Sequence, residues 1–198
     1  MENSSKTILI FGATGRTGQE IVKECESKGI IAAIFNKRSP GLNELRQAVK
    51  NTDGVIMVFG PRPPYKEIYC HKLTESIIEA MKAENVLRLV CQTGAMIGDY
   101  RQNRSFLFQK FSDQFRKKNP QGYNDRVNQE KAVKNSSLNW TIVKPPRLTQ
   151  GQKNGTAKAA ENLKVSLLSS ISRKTIAQFI VGEFFTPKFL KKTVFVKN

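Results

Sequence analysis

The sequence predicts an α/β fold built on one doubly wound parallel sheet with helices on both faces. Short, nearly continuous apolar runs alternate with amphipathic helical segments, which is the pattern of strands buried on both sides of a sheet. Crossovers between parallel strands are right-handed, so successive helices cover both faces. With 198 residues and 39% apolar content the chain can bury a full core. We therefore predict one domain over residues 1–198.

The elements follow from this periodicity in chain order. They are strand Thr7–Phe11, helix Thr17–Lys28, strand Ile31–Phe35, a helix around Leu42–Val49, strand Gly54–Phe59, helix Ile68–Ala83, strand Leu87–Gln92, a mixed segment to Lys118, helix Arg126–Asn135 and strand Trp140–Val143. Ligands of such sheets bind at the carboxyl ends of the strands, beside the point where the strand order reverses. We therefore expect the functional residues to follow the strands directly.

Three glycines follow the first strand at G-x-x-G-x-x-G spacing, namely Gly12, Gly15 and Gly18. The first allows a tight turn, the second lets the backbone approach a ligand, and the third lets the next helix pack closely on the sheet. The N–H groups and the dipole of that helix favour an anion above the turn. The pattern predicts the pyrophosphate-binding turn of a Rossmann-like domain; a purely structural turn is the alternative.

The segment after the second strand reads Asn36-Lys37-Arg38. An NAD site places an acidic residue here to hold the ribose hydroxyls, whereas two cations and an amide suit a 2′-phosphate. No carboxylate occurs in residues 30–42, and Arg16 would add a cation near the same phosphate. These residues favour NADP(H) over NAD(H). The alternative is that Lys37 and Arg38 are solvated loop charges.

Several segments together carry a resemblance to a known family: Ile10–Gly15, Thr52–Ile56, Val90–Gly94, Leu138–Leu148 and Ser170–Ile180. In order and spacing they resemble the atypical short-chain dehydrogenase/reductases. The subgroup they are most similar to comprises the NAD(P)H-binding, NmrA-like and flavin reductase (biliverdin reductase B-like) proteins. The resemblance covers nearly the whole chain and implies the same Rossmann-like fold.

The resemblance implies cofactor-binding roles at matching positions, which are Gly12, Thr14, Gly15, Arg16, Thr17, Gly18, Asn36, Lys37, Arg38, Phe59, Gly60, Pro61, Thr93, Gly94, Pro145 and Pro146. Thr93 matches the position where catalytic members keep a serine or threonine. The two prolines match the loop that carries the nicotinamide, although they also fix an extended exit from a strand and remove two N–H donors.

The usual catalytic pair of the family is absent. Most short-chain dehydrogenases place a tyrosine four residues before a lysine that lowers the pKa of the phenol. Here Gly122 occupies the tyrosine position and Arg126 the lysine position. Arginine keeps its proton and offers no relay. Tyr123 is the catalytic candidate in a shifted register, beside Thr93.

The remaining chemistry is hydride transfer that needs little from the protein. We expect an NADPH-dependent reductase whose small-molecule acceptor is a quinone, a flavin or a comparable flat compound. The alternative is a non-catalytic redox sensor that binds the dinucleotide and acts through a protein partner. The substrate side would be formed by residues 61–70, 94–120 and 145–170, with the candidate residues Arg62, Tyr65, Arg101, Arg104, Phe106 and Phe108. These cations and rings suit an acidic aromatic ligand; a buried core and solvated arginines are the alternative.

Charge and composition limit the classes of partner. Residues 1–100 hold 13 basic and 11 acidic residues, so +2, and residues 101–198 hold 20 and 5, so +15. Anionic substrates, an acidic partner and a generic charged surface remain open, whereas nucleic-acid binding is not expected because no recognisable module is present. No apolar run reaches the ~20 residues of a membrane span, and three scattered cysteines predict neither disulfides nor a metal site. We expect a cytoplasmic monomer or homodimer.

Overall fold

The computed structural model describes residues 6–37, 39–62, 65, 67–151 and 156–198, which contain six α-helices and nine strands. The strands are β1 (Thr7–Phe11), β2 (Ile31–Phe35), β3 (Gly54–Met57), β4 (Arg88–Gln92), β5 (Asn139–Lys144), β6 (Arg147–Thr149), β7 (Lys158–Ala160), β8 (Ser170–Ser172) and β9 (Lys192–Lys197). The helices are α1 (Arg16–Ser27), α2 (Leu42–Val49), α3 (Cys70–Ala83), α4 (Phe106–Lys118), α5 (Pro120–Asn135) and α6 (Arg173–Phe185), with a 3₁₀ turn at Arg101–Asn103.

Seven of these strands form one sheet in the order β2-β1-β3-β4-β5-β9-β7. All neighbours are parallel except β7, which pairs with β9 in the antiparallel sense. The chain runs outward from β1 to β2 and then crosses to β3 on the other side of β1. The strand order therefore reverses between β1 and β3, which confirms the predicted doubly wound fold.

Two apolar cores lie on opposite faces of the sheet. Alternate residues of β1 feed each of them: Ile8 and Ile10 belong to one, and Leu9 and Phe11 to the other. Helices α1 and α6 cover the first face, and α2, α3 and α5 cover the second. The period of two in β1 thus distributes its side chains between both layers, and the predicted helices on both faces are confirmed.

Two helices begin at residues other than those predicted. Helix α3 begins at Cys70 instead of Ile68, because the Asp125 carboxylate accepts hydrogen bonds from the N–H groups of Cys70 and His71, at 2.8 and 3.0 Å. Helix α5 begins at Pro120, six residues before the predicted start, with the proline in its first turn. A carboxylate that caps a distant helix is invisible to local patterns.

The segment predicted as mixed contains a regular helix. Ser105 caps α4 by accepting a hydrogen bond from the N–H of Phe108 at 3.4 Å. Strand β3 ends at Met57, two residues before its predicted end, and β9 was not predicted. In the described part of the chain, no helix has the length and apolar content to cross a lipid bilayer.

Candidate functional site

The glycine turn joins β1 to α1 at the point where the strand order reverses. Gly12 has φ +91°, and a Cβ there would lie 2.8 Å from the backbone nitrogen of Phe59. A Cβ at Gly18 would clash with the Gly12 carbonyl oxygen and lie 2.5 Å from Ala13 Cα. These two glycines are therefore required by the turn itself, through a left-handed backbone and close packing of α1 on the sheet.

Gly15 differs from its two neighbours because its backbone is ordinary. It is the N-cap of α1 with φ −73° and ψ 158°, and a Cβ there would meet only the Gly12 carbonyl oxygen, at 3.2 Å. No side chain caps the first N–H groups of α1. The turn therefore leaves helical N–H donors and the positive end of a helix dipole for an anion.

A cleft of about 130 Å³ opens above this turn. Its walls come from the ends of β1, β2 and β3 and from the start of α3, and they comprise Phe11, Gly12, Thr14, Gly15, Phe35, Asn36, Lys37, Val58, Phe59, Gly60, Arg62, Tyr69 and Leu73. Phe11 and Phe35 pack at 5.1 Å between ring centroids, and Phe59 stacks on Tyr69 at 6.0 Å. The cleft combines flat apolar walls with a polar floor.

The cation predicted at the end of β2 has a carboxylate partner. Lys37 lies at the cleft, and its ammonium contacts Glu44 Oε1 at 2.6 Å. Glu44 also accepts a hydrogen bond from the N–H of Gly41 at the start of α2. The hydrogen bond from Lys37 is the main cause that lowers the pKa of Glu44, and the hydrogen bond from the Gly41 N–H lowers it further. Arg38 lies outside the described residues.

A buried polar network lies at the carboxyl ends of β4 and β5. The Thr93 hydroxyl donates to Glu130 Oε1 at 2.6 Å, and Lys144 Nζ donates to the same carboxylate oxygen and to Thr93 Oγ1 at 3.3 Å. Tyr100 donates to Glu130 Oε2 at 3.0 Å, and the exposed Lys134 donates to the Tyr100 hydroxyl at 2.7 Å. The network runs from the surface to the strand ends.

The ion pair in this network is taken almost wholly out of water. The side chains of Lys144 and Glu130 are 0% and 4% exposed. Burial lowers the pKa of Lys144 to about 8, against the opposing charge of the Glu130 carboxylate. Lys144 also lies 4.5 Å from the centroid of the Tyr100 ring. The pair joins α5 to the sheet in a setting where the loss of either partner leaves a buried charge.

Residues 32–187 match the family model described as NAD(P)H-binding, which is most of the chain. The chain belongs to the NAD(P)H-binding family. The match begins after the glycine turn, so the turn and the family model are separate observations.

Relatives of this NAD(P)H-binding protein span nearly its whole length. The UPF0659 protein YMR090W of Saccharomyces cerevisiae is 22% identical over 98% of this chain and 94% of its own. A short-chain dehydrogenase/reductase from Veillonella parvula, solved in complex with NADP, has a TM-score of 0.76 at 16% identity and covers 98% and 94% of the two chains. ChuY, an anaerobillin reductase from Escherichia coli O157:H7, has a TM-score of 0.74 at 15% identity, with 96% of each chain covered. At these identities the solved structures show the shared fold.

In this NAD(P)H-binding protein, the residue at the position of the lysine of most short-chain dehydrogenases stabilises the fold. Arg126 is buried, and its guanidinium donates to the carbonyl oxygens of Phe59, at 2.8 Å, and Gln92, at 3.2 Å. It therefore ties the ends of β3 and β4 to α5. Tyr123 is also buried, and its hydroxyl donates to the Gly98 carbonyl oxygen at 3.2 Å. Burial raises the pKa of Tyr123.

The predicted cofactor residues are only partly brought together. Seven of the residues predicted to bind the cofactor line the cleft: Gly12, Thr14, Gly15, Asn36, Lys37, Phe59 and Gly60. Thr93 and Pro145 lie at the ends of β4 and β5, where the Pro145 carbonyl oxygen accepts a hydrogen bond from Ala95 at 2.8 Å. Pro146 is half-buried and Gly94 has open space at its Cβ position.

The structure buries two of the predicted substrate residues inside the fold. Phe108 is 6% exposed and packs in a small core with Val165 and Phe195. Arg104 is also 6% exposed, and its guanidinium donates to the carbonyl oxygens of Ala95, Ile97 and Gly98 and to the Gln109 side chain. Both side chains are used within the fold, because buried polar groups need internal partners and α4 turns its apolar face inward.

The other predicted substrate residues are dispersed. Arg62 lines the cleft. Tyr65 packs edge-on against Phe115 at 5.2 Å, and Arg101 is exposed beside Asp99 at 3.6 Å. Phe106 is 71% exposed, with Lys110 4.4 Å from its ring centroid. Of this set, Arg62 alone is among the residues that line the cleft.

Sequence reasoning did not single out Glu130, Lys144 or Tyr100 as members of a site. A signal existed for one of them, because Lys144 interrupts the apolar run from Trp140 to Val143 just before two prolines. A charged residue inside a buried strand needs a partner of opposite charge. The partner could not be named from the sequence, since Glu130 lies on a different element.

Proposed function

We propose that the chain is an NADPH-dependent reductase that passes a hydride to a flat acceptor such as a quinone or a flavin. One observation carries the proposal. The cleft at the switch point combines a turn in which Gly12 and Gly18 are packed too closely for side chains, an α1 N-terminus without a capping side chain, and the cation of Lys37. These features fit a dinucleotide that carries an additional phosphate.

The residues of the cleft divide between two parts of such a ligand. Gly12, Gly15 and the first N–H groups of α1 would hold the diphosphate. Asn36 and Lys37 would meet the adenosine ribose and its phosphate. When bound, NADPH supplies the hydride, and the protein supplies placement and exclusion of water. The neighbouring segments Phe59–Pro61, Thr93–Gly94 and Pro145–Pro146 are proposed to continue the site toward the nicotinamide.

Two charge arrangements support a preference for NADP(H). The Lys37–Glu44 pair is exposed on both sides, with 59% and 48% of the two side chains accessible, so a phosphate can compete for the ammonium. Arg16 is the first residue of α1 and lies near Arg173. Burial is the main cause that lowers the pKa of Arg173, and the charge of Arg16 lowers it further. Two cations close together beside a helix N-terminus favour an anion over a neutral hydroxyl.

The proton chemistry is proposed to be independent of tyrosine. The Tyr123 hydroxyl is engaged with the Gly98 carbonyl, and Arg126 is bound to two strand ends. The Thr93 hydroxyl donates a hydrogen bond to Glu130 and accepts one from Lys144. In this arrangement Thr93 would orient the acceptor or the carboxamide, and solvent would provide the proton. Arg62, Tyr65 and Arg101 remain candidate contacts for the acceptor.

A second candidate function has an observation in its favour. The hydroxyls of Thr93 and Tyr123, the two residues predicted to be catalytic, both donate to partners inside the protein. A domain that binds NADPH with both hydroxyls engaged would suit a redox sensor that acts through a protein partner. The anaerobillin reductase among the solved relatives favours the reductase instead.

One experiment separates the candidates. The full chain is titrated with NADPH and NADH by cofactor fluorescence, and NADPH oxidation is then followed with a panel of quinones and flavins. Tighter binding of NADPH together with oxidation supports the reductase. Tighter binding of NADPH without oxidation by any acceptor supports the sensor. Equal affinity for NADH contradicts the NADP(H) preference, and no binding of either cofactor contradicts both functions.

A further inference from the structure

Large apolar side chains protrude from two neighbouring segments on the side of the molecule formed by α4 and the turn before β8. Leu168 is 90% exposed, Phe106 71%, Leu107 62%, Phe111 48% and Leu167 45%. We call these five residues the apolar tip. Side chains of this size are seldom left in water together unless something covers them.

The backbone brings the two segments of the apolar tip side by side. The N–H of Ser105 donates to the Val165 carbonyl oxygen at 2.9 Å, and the N–H of Val165 donates to the Asn103 carbonyl oxygen at 2.8 Å. Phe106 follows this pairing on one side, and the turn at Leu167 and Leu168 follows it on the other. Because Phe108 and Val165 face inward into one core, the exposed residues around them project outward.

The apolar tip lies in strongly cationic surroundings. Residues 101–118 contain one acidic residue, Asp113, and six basic residues, of which only Arg104 is buried. Lys110 lies over the Phe106 ring at 4.4 Å, and exposed basic residues occupy the last turn of α4. Lys164, beside the turn, is exposed, and its carbonyl oxygen accepts a hydrogen bond from Lys197 Nζ at 2.9 Å. The partner that fits is therefore apolar at its centre and negatively charged around it.

A second copy of the chain does not have that chemistry. A symmetric dimer through the apolar tip would bring the same cations of both copies together. A protein partner needs a complementary surface of about 800 Å². The tip consists of a helix start and a turn, and Leu168 in that turn is 90% exposed. A lipid surface accepts such protruding side chains without a matching shape.

We propose that the apolar tip binds an anionic lipid surface. Its leucine and phenylalanine side chains enter the boundary between headgroups and acyl chains, and the basic residues of α4 lie against the anionic headgroups. The chain thereby attaches to one leaflet through two surface segments. This inference is independent of the cofactor and stands or falls apart from the reductase proposal.

The test is sedimentation of the full chain with vesicles of phosphatidylcholine, with and without phosphatidylserine. The tip variant is Leu107→Ser/Leu168→Ser. The matched control is Ile31→Ser/Ile34→Ser, which removes two exposed isoleucines, 52% and 51% accessible, from the sheet edge at β2. Far-UV circular dichroism checks that both variants fold.

We expect the wild type and the control to bind vesicles that contain phosphatidylserine. The tip variant should bind about tenfold more weakly or worse, because its two most exposed leucine side chains no longer insert. Lys117→Gln should weaken binding by about fivefold, and salt should weaken it further. Three outcomes would overturn the proposal: no binding by the wild type, equal binding to vesicles without phosphatidylserine, or equal loss in the isoleucine control. The proposal would also be overturned if the tip variant bound vesicles like the wild type and differed from it only in oligomeric state or in binding to an acidic protein.

Discussion

Side chains introduced at Gly15 and Gly18 should fail in different ways, although the two glycines lie in one turn. Gly15 has ordinary backbone angles and lines the cleft. Gly18 is packed against the Gly12 carbonyl and Ala13. We therefore expect Gly15→Val to keep the fold and lose the cofactor, whereas Gly18→Ala should weaken the fold itself.

The magnitudes follow from the contacts. At Gly15 the nearest atom to a Cβ is 3.2 Å away, and a less flexible unfolded chain offsets the crowding, so the free energy of unfolding should change by no more than about 1 kcal/mol. The turn would lose a charge-assisted hydrogen bond to the diphosphate, worth about 1.5–3 kcal/mol, which corresponds to roughly 10- to 150-fold in affinity. At Gly18 overpacking costs about 3 kcal/mol, and better helix propensity returns about 1 kcal/mol.

Two measurements decide the matter. Urea unfolding followed by far-UV circular dichroism gives the stability of each variant, and NADPH titration gives its affinity. The expected pattern is a stable Gly15→Val variant with weak binding and a Gly18→Ala variant about 2 kcal/mol less stable than the wild type. A stable Gly15→Val variant with wild-type affinity would refute the assignment of the turn, and a neutral Gly18→Ala would refute the packing argument.

Three further predictions concern the buried polar groups. Tyr123→Phe should keep most of any NADPH-dependent reductase activity, because only a hydrogen bond to a carbonyl is lost; a decrease of roughly 10²–10⁴-fold at unchanged NADPH affinity would instead identify a catalytic acid. Thr93→Ala should have an intermediate effect on kcat, since its hydroxyl orients groups without donating the proton, and a loss as large as that of a catalytic acid would contradict this role. Lys144→Met should lower the free energy of unfolding by about 3–5 kcal/mol, and Lys144→Met/Glu130→Leu should recover most of that loss in urea titrations. Relative to this double variant, the wild type should gain stability as the pH rises from about 8 to 10.5, because the ammonium loses its proton in the folded state before it does so in the unfolded chain; a difference that is flat in pH would contradict the lowered pKa.

The first half of the fold was readable from local patterns. Strands β1 and β2 and helix α2 have the bounds that their periodicity predicts, because each is a short regular element closed by glycine, proline or a polar loop. The glycine turn could also be recognised from the sequence. The constraint on Gly18 is local, since the residues that a Cβ there would strike are Gly12 and Ala13, whereas Gly12 is also limited by the distant Phe59.

The parts that could not be predicted depend on contacts between distant residues. Asp125 caps α3 from more than fifty positions away, and Lys144 meets Glu130 only because α5 packs against β5. Phe106 and Phe108 are both phenylalanines near the start of α4, and the local sequence does not distinguish them. The helix nevertheless turns Phe108 inward and Phe106 outward. The partner of Lys37 was missed although it is near in sequence. Glu44 lies two residues beyond residues 30–42, which contain no carboxylate.

Strand β2 pairs only with β1 and forms one edge of the sheet, and its residues are the least buried of the strands beside the cleft. Local opening of such an edge costs less free energy than global unfolding, so the amides of β2 and α2 should exchange with solvent before those of β3 and β4. A ligand that spans the ends of β1, β2 and β3 would bind the closed edge and not the opened one. By mass action, occupancy of the cleft would therefore slow amide exchange along β2 while leaving the centre of the sheet unchanged. The edge strand thus reports on the cleft without taking part in any chemistry.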